Sequence, residues 1–186
     1  VQWMTAAKGI VHSEMPEQVD GLLKGFQLWV NLPASEKMKE PSYQEFPADQ
    51  VAVEQWASGS HIRVIAGQTN QGTVGPVINE HTQPTYMDIT LAKNDVLNQT
   101  ISTEHNAFIY VIEGNVSIGS QQYPLTAGKL AVLSEGNALT VTNNNEDESR
   151  FILVSGKPIK EPVVRGCPFV MNTEQEIRQA FHDFQT

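Results

Sequence analysis

Between residues 51 and 154 the sequence keeps returning to one pattern: a short run of β-branched and apolar residues, then a break of glycine, proline or asparagine. The runs fall at residues 51–53, 61–66, 85–91, 108–112, 116–118, 129–133, 138–142 and 151–154. Runs this short are strands rather than helices. At this spacing they predict an all-β sandwich or barrel of the jelly-roll kind. Residues 67–82 are turn-rich and lie between two of the runs. Residues 143–148, Asn-Asn-Asn-Glu-Asp-Glu, read as a solvated hairpin tip.

The two ends of the chain read differently. Thr173-Glu174-Gln175-Glu176 has the form of a capping box, and Ile177, Ala180, Phe181 and Phe184 then share one helical face. The sequence therefore predicts a C-terminal α-helix packed on a flank of the sandwich. At the other end, residues 1–4 read as a strand, 5–8 as a turn, 9–14 as a second strand and 26–32 as a third, ended by Pro33. Residues 15–22 read as a surface loop, 35–39 as one helical turn, and 41–50 as a connection.

Composition limits the function. The 186 residues are 40% hydrophobic and 18% charged, which suits a globular chain. The net charge of −9, with no run of lysine or arginine, argues against direct nucleic-acid binding. No apolar run is long enough to span a membrane. A single cysteine, Cys167, cannot close an intramolecular disulfide. Cytoplasmic localisation is the expectation. The sequence opens at Val1, without an initiator methionine and inside a strand-like motif, so upstream residues are expected in the parent protein.

The chemistry sits in one pair. His12 and Glu14 are the closely spaced metal-ligand types in the chain. If residues 9–14 form a strand, side chains at i and i+2 face the same way, so both point into one cavity. An imidazole and a carboxylate make half of a non-haem iron, manganese or nickel site. His61, His81 and His182 have no second ligand at metal spacing and read as ordinary histidines, and His105 reads as a strand-entry residue.

Several blocks carry a family likeness: Gln2-Trp3-Met4-Thr5-Ala6, Gly9-Ile10-Val11-His12-Ser13-Glu14, Gly25-Phe26-Gln27-Leu28-Trp29-Val30-Asn31-Leu32-Pro33, Asn106-Ala107-Phe108-Ile109-Tyr110-Val111-Ile112-Glu113-Gly114 and Pro168-Phe169-Val170-Met171-Asn172-Thr173. In this order they resemble the pirin family. The resemblance implies two stacked cupin sandwiches (a bicupin), the first holding one iron through three histidines and a glutamate. It also implies a quercetin 2,3-dioxygenase activity in several members and a regulatory, protein-binding role in others.

Carried over, His12 is the third histidine ligand, and Glu14 is the carboxylate ligand and candidate catalytic proton acceptor. The first two histidines would lie before Val1. Ala7 stands where glycine is usual, so a left-handed turn there would carry strain. Laying residues 1–5 over 130–134 puts His12 on Val141, and the family spacing puts the other two ligand positions on Thr100 and Ser102.

The domain reading is therefore 1–40, the remnant of a metal-type cupin that lacks its N-terminal part; 41–50, a connection; 51–163, a cupin with its ligands replaced; and 164–186, a terminal segment and helix. The parent is expected to be an Fe(II)-dependent dioxygenase acting on a flavonol-like aromatic substrate. This chain is expected to be inactive and to hold little or no metal. The alternative is a non-catalytic regulatory module with a protein partner. Uncovered apolar residues at 1–33 lead to the expectation of a homodimer through that segment.

Overall fold

The computed structural model describes residues 1–13, 20–21 and 24–185. In chain order the strands are β1 (Gln2–Thr5), β2 (Ser42–Glu45), β3 (Ala52–Gln55), β4 (His61–Ala66), β5 (Thr85–Leu91), β6 (Val96–Thr100), β7 (Asn106–Glu113), β8 (Asn115–Ile118), β9 (Tyr123–Thr126), β10 (Leu130–Val132), β11 (Ala138–Thr142), β12 (Ser149–Gly156), β13 (Val164–Gly166) and β14 (Phe169–Met171), followed by helix α1 (Glu174–Gln185). Strands β1 and β2 pair with each other. The described residues form two compact units, Val1–Trp3 with Gln44–Pro158 and Met4–Tyr43 with Ile159–Thr186.

The first unit is the predicted β-sandwich. One antiparallel sheet runs β10-β7-β12-β5-β4-β3 and the other β6-β11-β8-β9. Alternation explains which face each strand buries. In β4, Ile62 and Val64 are buried while Arg63 between them is exposed; in β7, Ala107, Ile109 and Val111 are buried. Met87, Ile89 and Leu91 of β5, Phe151 and Leu153 of β12, and Leu139 and Val141 of β11 join them in one continuous apolar core. The ladder slips between Val64 and Ala66 and between Arg150 and Phe151, where one strand carries an extra residue.

Polar side chains finish the sandwich where the ladders stop. Asn70 acts as a surrogate strand residue beside β6: its Oδ1 accepts from Thr100 N at 3.0 Å and its Nδ2 donates to Asn98 O at 3.1 Å. Gln99, buried on β6, donates from Nε2 to Gln68 O and Thr100 O, each at 3.1 Å. Glu54, buried on β3, accepts from Trp56 Nε1 at 2.8 Å and from the Thr69 hydroxyl. No buried polar group can be left unmet without cost, and the buried Gln99 and Glu54 are both met by neighbours.

Asn143 corrects the solvated reading of residues 143–148. It is fully buried, and its Nδ2 donates to Leu91 O and Asp147 O at 2.9 Å while its Oδ1 accepts from Asn145 N at 3.1 Å. A polar tip can close over one buried amide when that amide replaces the turn's missing backbone bonds. Gly114 is fixed for a different reason. It has φ +74°, and a Cβ there would lie 2.4 Å from Ser149 Oγ.

In the second unit α1 forms as the sequence predicts. Glu176 Oε2 accepts from Thr173 N at 2.8 Å, and Glu176 N donates to Thr173 Oγ1 at 3.2 Å, the reciprocal bonds of a capping box. The apolar face of α1 covers the β13–β14 hairpin. Ile177 lies over Gly166, where a Cβ would come within 2.7 Å of Ile177 Cγ2. Phe169 of β14 meets Phe181 and Phe184 edge to face, with ring centroids 5.2 and 5.9 Å apart. Most of the chain before residue 44 gathers in this unit with the hairpin and α1.

Candidate functional site

The segment that carries the metal-ligand types comes after β1. Past Thr5 the chain turns: Gly9 N donates to Ala6 O at 2.8 Å, with Ala7 at φ +46° and Gly9 at φ +125°. Ala7 thus adopts the left-handed turn conformation that the sequence marked as strained for an alanine. Lys8 N donates to Lys39 O at 3.1 Å, and the Lys8 ammonium pairs with Glu40. These bonds anchor the turn, whereas residues 10–13 beyond it are exposed.

Residues 9–13 are not a strand. They have no regular secondary structure, Val11 is 91% exposed, and His12 is exposed. A strand holds its alternation only when a neighbouring strand takes up its N–H and C=O groups, and among the described residues no ladder includes residues 9–13. Residues 26–32, read as a strand from the sequence, also have no regular secondary structure, with Trp29 64% exposed. The i, i+2 rule therefore does not apply to residues 9–13. Glu14 itself, and most of the loop expected at residues 15–22, lie outside the described residues.

The donor set can be tested against a metal. Among the described residues no three histidine, cysteine, aspartate or glutamate side chains gather where they could hold one ion. His12 alone supplies one imidazole, short of the three or four protein ligands of a transition-metal site. The described residues do not fit a complete iron centre.

The sandwich interior also differs from its expected register. Thr100 and Ser102, the positions matched to ligand histidines, are both exposed, while Gln99 and Ile101 on either side of Thr100 are buried. Strand alternation explains the offset: the family spacing lands one residue away from the inward-facing set. Val141 does face inward and is fully buried in the apolar core with Leu97, Ile101 and Leu139.

The remaining histidines are placed one by one. His105 Nδ1 lies 3.5 Å from the buried Ser155 hydroxyl. Burial lowers the pKa of His105, opposed by the charge of Glu104 and helped by that of Lys157. His61 lies on the outer face of the six-stranded sheet, His81 in an exposed turn and His182 on α1.

Sequence reasoning missed one polar cluster, His61, Arg63, Asp88, Thr90 and Arg150, which lines a cavity of about 220 Å³ in the first unit. The signal that could have found it is alternation itself. In β4 and β5 the residues between the core positions are Arg63, Asp88 and Thr90, and in β12 Arg150 directly precedes the core residue Phe151.

Comparison with known proteins fits this fold and these blocks. Residues 86–186 match the pirin C-terminal cupin domain family, and residues 1–30 match the pirin family. A pirin-like protein from Caulobacter vibrioides is 43% identical over all of this chain and 66% of its own length. Pirin from Homo sapiens is 39% identical over all of this chain and 63% of its own length. A crystal structure of quercetin 2,3-dioxygenase from Acinetobacter baumannii superposes with a TM-score of 0.76 at 32% identity, covering 84% of this chain and 54% of that one. This chain thus spans just under two thirds of the length of the curated relatives it matches. It belongs to the pirin family, and most of what it contains is that family's C-terminal cupin.

Proposed function

We propose that this chain is the C-terminal part of an Fe(II)-dependent dioxygenase acting on flavonol-like aromatic substrates, and that by itself it turns over little or no substrate. The observation that carries the reading is the likeness, at 32% identity over 84% of the chain, to a protein described as quercetin 2,3-dioxygenase. In this proposal His12 and Glu14 are two ligands of the parent's metal, and Glu14 is also the candidate proton acceptor. The other ligands come from outside these 186 residues.

The inactivity of the isolated chain follows from ligand number. Two donors leave most of the coordination sphere to water, so neither affinity nor geometry reaches that of a full site. Without fixed geometry, substrate and oxygen lose the orientation that catalysis draws on. The apolar packing around Val141 supports a structural rather than catalytic role for the sandwich interior.

The test is an iron-supplemented assay following loss of the flavonol absorbance, with the chain and its His12→Ala variant side by side. Near-background rates for both are expected. Substantial turnover abolished by His12→Ala would contradict the inactivity of the isolated chain.

A further inference from the structure

On the outer face of the six-stranded sheet, five polar side chains from three adjacent strands are drawn together by register. His61 stands opposite Thr90 and Arg63 opposite Asp88 across β4 and β5; Arg150 stands opposite Thr90 across β12 and β5. Their strand neighbours Ile62, Val64, Ile89, Leu91 and Phe151 all point into the core, so these five point away from it. They line one cavity of about 220 Å³. That is smaller than a typical drug-sized pocket and suited to a charged head group.

The charges in the cavity are already sorted. Arg150 grips Asp88 in a two-bond fork, Nε to Oδ1 at 2.9 Å and Nη2 to Oδ2 at 2.7 Å. Both carboxylate oxygens are thereby engaged, and the bond to Asp88 holds the Arg150 pKa above its ordinary value, with Glu113 adding a smaller contribution from β7. Arg63, the direct cross-strand neighbour of Asp88, forms no ion pair among the described residues. Its guanidinium is exposed at the cavity wall. The cavity thus holds two guanidiniums and an imidazole against one carboxylate, in a chain with 12 lysines and arginines and 21 acidic residues.

We propose that this cavity is a binding site for a small oxyanion, a phosphate or carboxylate group, held by the Arg63 fork with Thr90 and His61 beside it. Guanidinium presents parallel N–H donors that match two oxygens of either group. The Arg150–Asp88 pair is the positioning element. It fixes the floor of the cavity and occupies the one carboxylate that would otherwise neutralise Arg63. The proposal is independent of the dioxygenase reading, since none of these residues belongs to the proposed metal ligands.

The experiment is an NMR titration of the 186-residue chain at constant ionic strength, following the Arg63 Nε–Hε signal and the backbone amides of Thr90 and His61. Inorganic phosphate and succinate are the two ligands, and chloride is the control. Saturable shifts with phosphate, with succinate, or with both support the site and identify the oxyanion it takes. Arg63→Gln should weaken binding by about tenfold or more with an unchanged melting temperature, because Arg63 is exposed. Arg63→Lys should retain part of the affinity. Shifts no larger than those from chloride, or equal affinity in Arg63→Gln, would overturn the proposal.

Discussion

The ammonium of Lys37 donates to the main-chain carbonyl of Val170 at 2.9 Å, joining residues 133 positions apart in the sequence. The same nitrogen donates to Asn31 Oδ1 at 2.9 Å, and Lys37 is 5% exposed. A second bond of the same kind runs from Ala34 N to Glu161 Oε2 at 2.7 Å, and that oxygen also accepts from Asn172 Nδ2 at 3.0 Å. The second unit is therefore held partly by a polar network linking its early and late stretches of chain, and not by apolar contact alone.

Removing that ammonium should show. Lys37→Met leaves two acceptors without their donor and is expected to cost about 1–3 kcal/mol. Burial lowers the Lys37 pKa, against the charges of Glu161 and Glu176. With the folded value below the unfolded one, the unfolded state holds the extra proton between the two, so stability rises with pH across that alkaline window. Urea unfolding followed by the helix signal should show this rise in the wild type and lose it in Lys37→Met. A cost under about 0.5 kcal/mol would place the network among incidental surface contacts.

The start of α1 makes a second prediction. Thr173→Ala removes the N-cap hydroxyl and should cost about 1 kcal/mol. The Thr173 hydroxyl, together with the backbone N–H groups of Asn172 and Thr173, lowers the Glu176 pKa below its ordinary 4.5. A depressed carboxylate stabilises above its unfolded pKa, and that contribution is lost as pH falls through the folded value. Helix content should therefore drop at more acidic pH in wild type than the plain glutamate value suggests. Glu176→Gln should abolish this acid step, as read by circular dichroism.

The register of β6 and the residue after it is tested by a pair of neighbours. Ile101 is buried in the core and Thr100 beside it is exposed. Ile101→Ala should cost about 2–5 kcal/mol and Thr100→Ala less than about 0.5 kcal/mol, measured by chemical denaturation. The reverse order would restore Thr100 to the interior.

Asn143→Ala should destabilise the sandwich more than any other change in residues 143–148. The fully buried amide serves Leu91 O, Ala92 O and Asp147 O at once, and each carbonyl left unmet costs about 1–3 kcal/mol. Comparison of Asn143→Ala with Asn144→Ala by thermal melting checks this directly.

How much could be read beforehand depends on how each element is held. β4, β5, β7 and β12 were legible because Ile62, Val64, Ile89 and Phe151 bury one face of a regular alternation. β6 was not read as a strand, because of its two inward positions only Leu97 is apolar, while Gln99 is polar and serves backbone carbonyls. β9 was hidden by Pro124, which is tolerated because β9 is an edge strand. Residues 9–13 and 26–32 have strand-like composition, yet neither stretch takes up regular secondary structure in the described residues, because composition alone does not make a strand. The polar cavity around Arg63 was overlooked for the converse reason. Its residues lie far apart in sequence and only cross-strand register assembles them.

The proposal that His12 and Glu14, and not the sandwich interior, are this chain's metal ligands is tested most directly by titrating the 186-residue protein with Fe(II) under anaerobic conditions. Weak binding, with a dissociation constant of roughly 0.1 mM or higher, is predicted, abolished by His12→Ala and unchanged by Val141→Ala. Tight one-to-one binding that survives His12→Ala would place the metal among other residues and contradict the account.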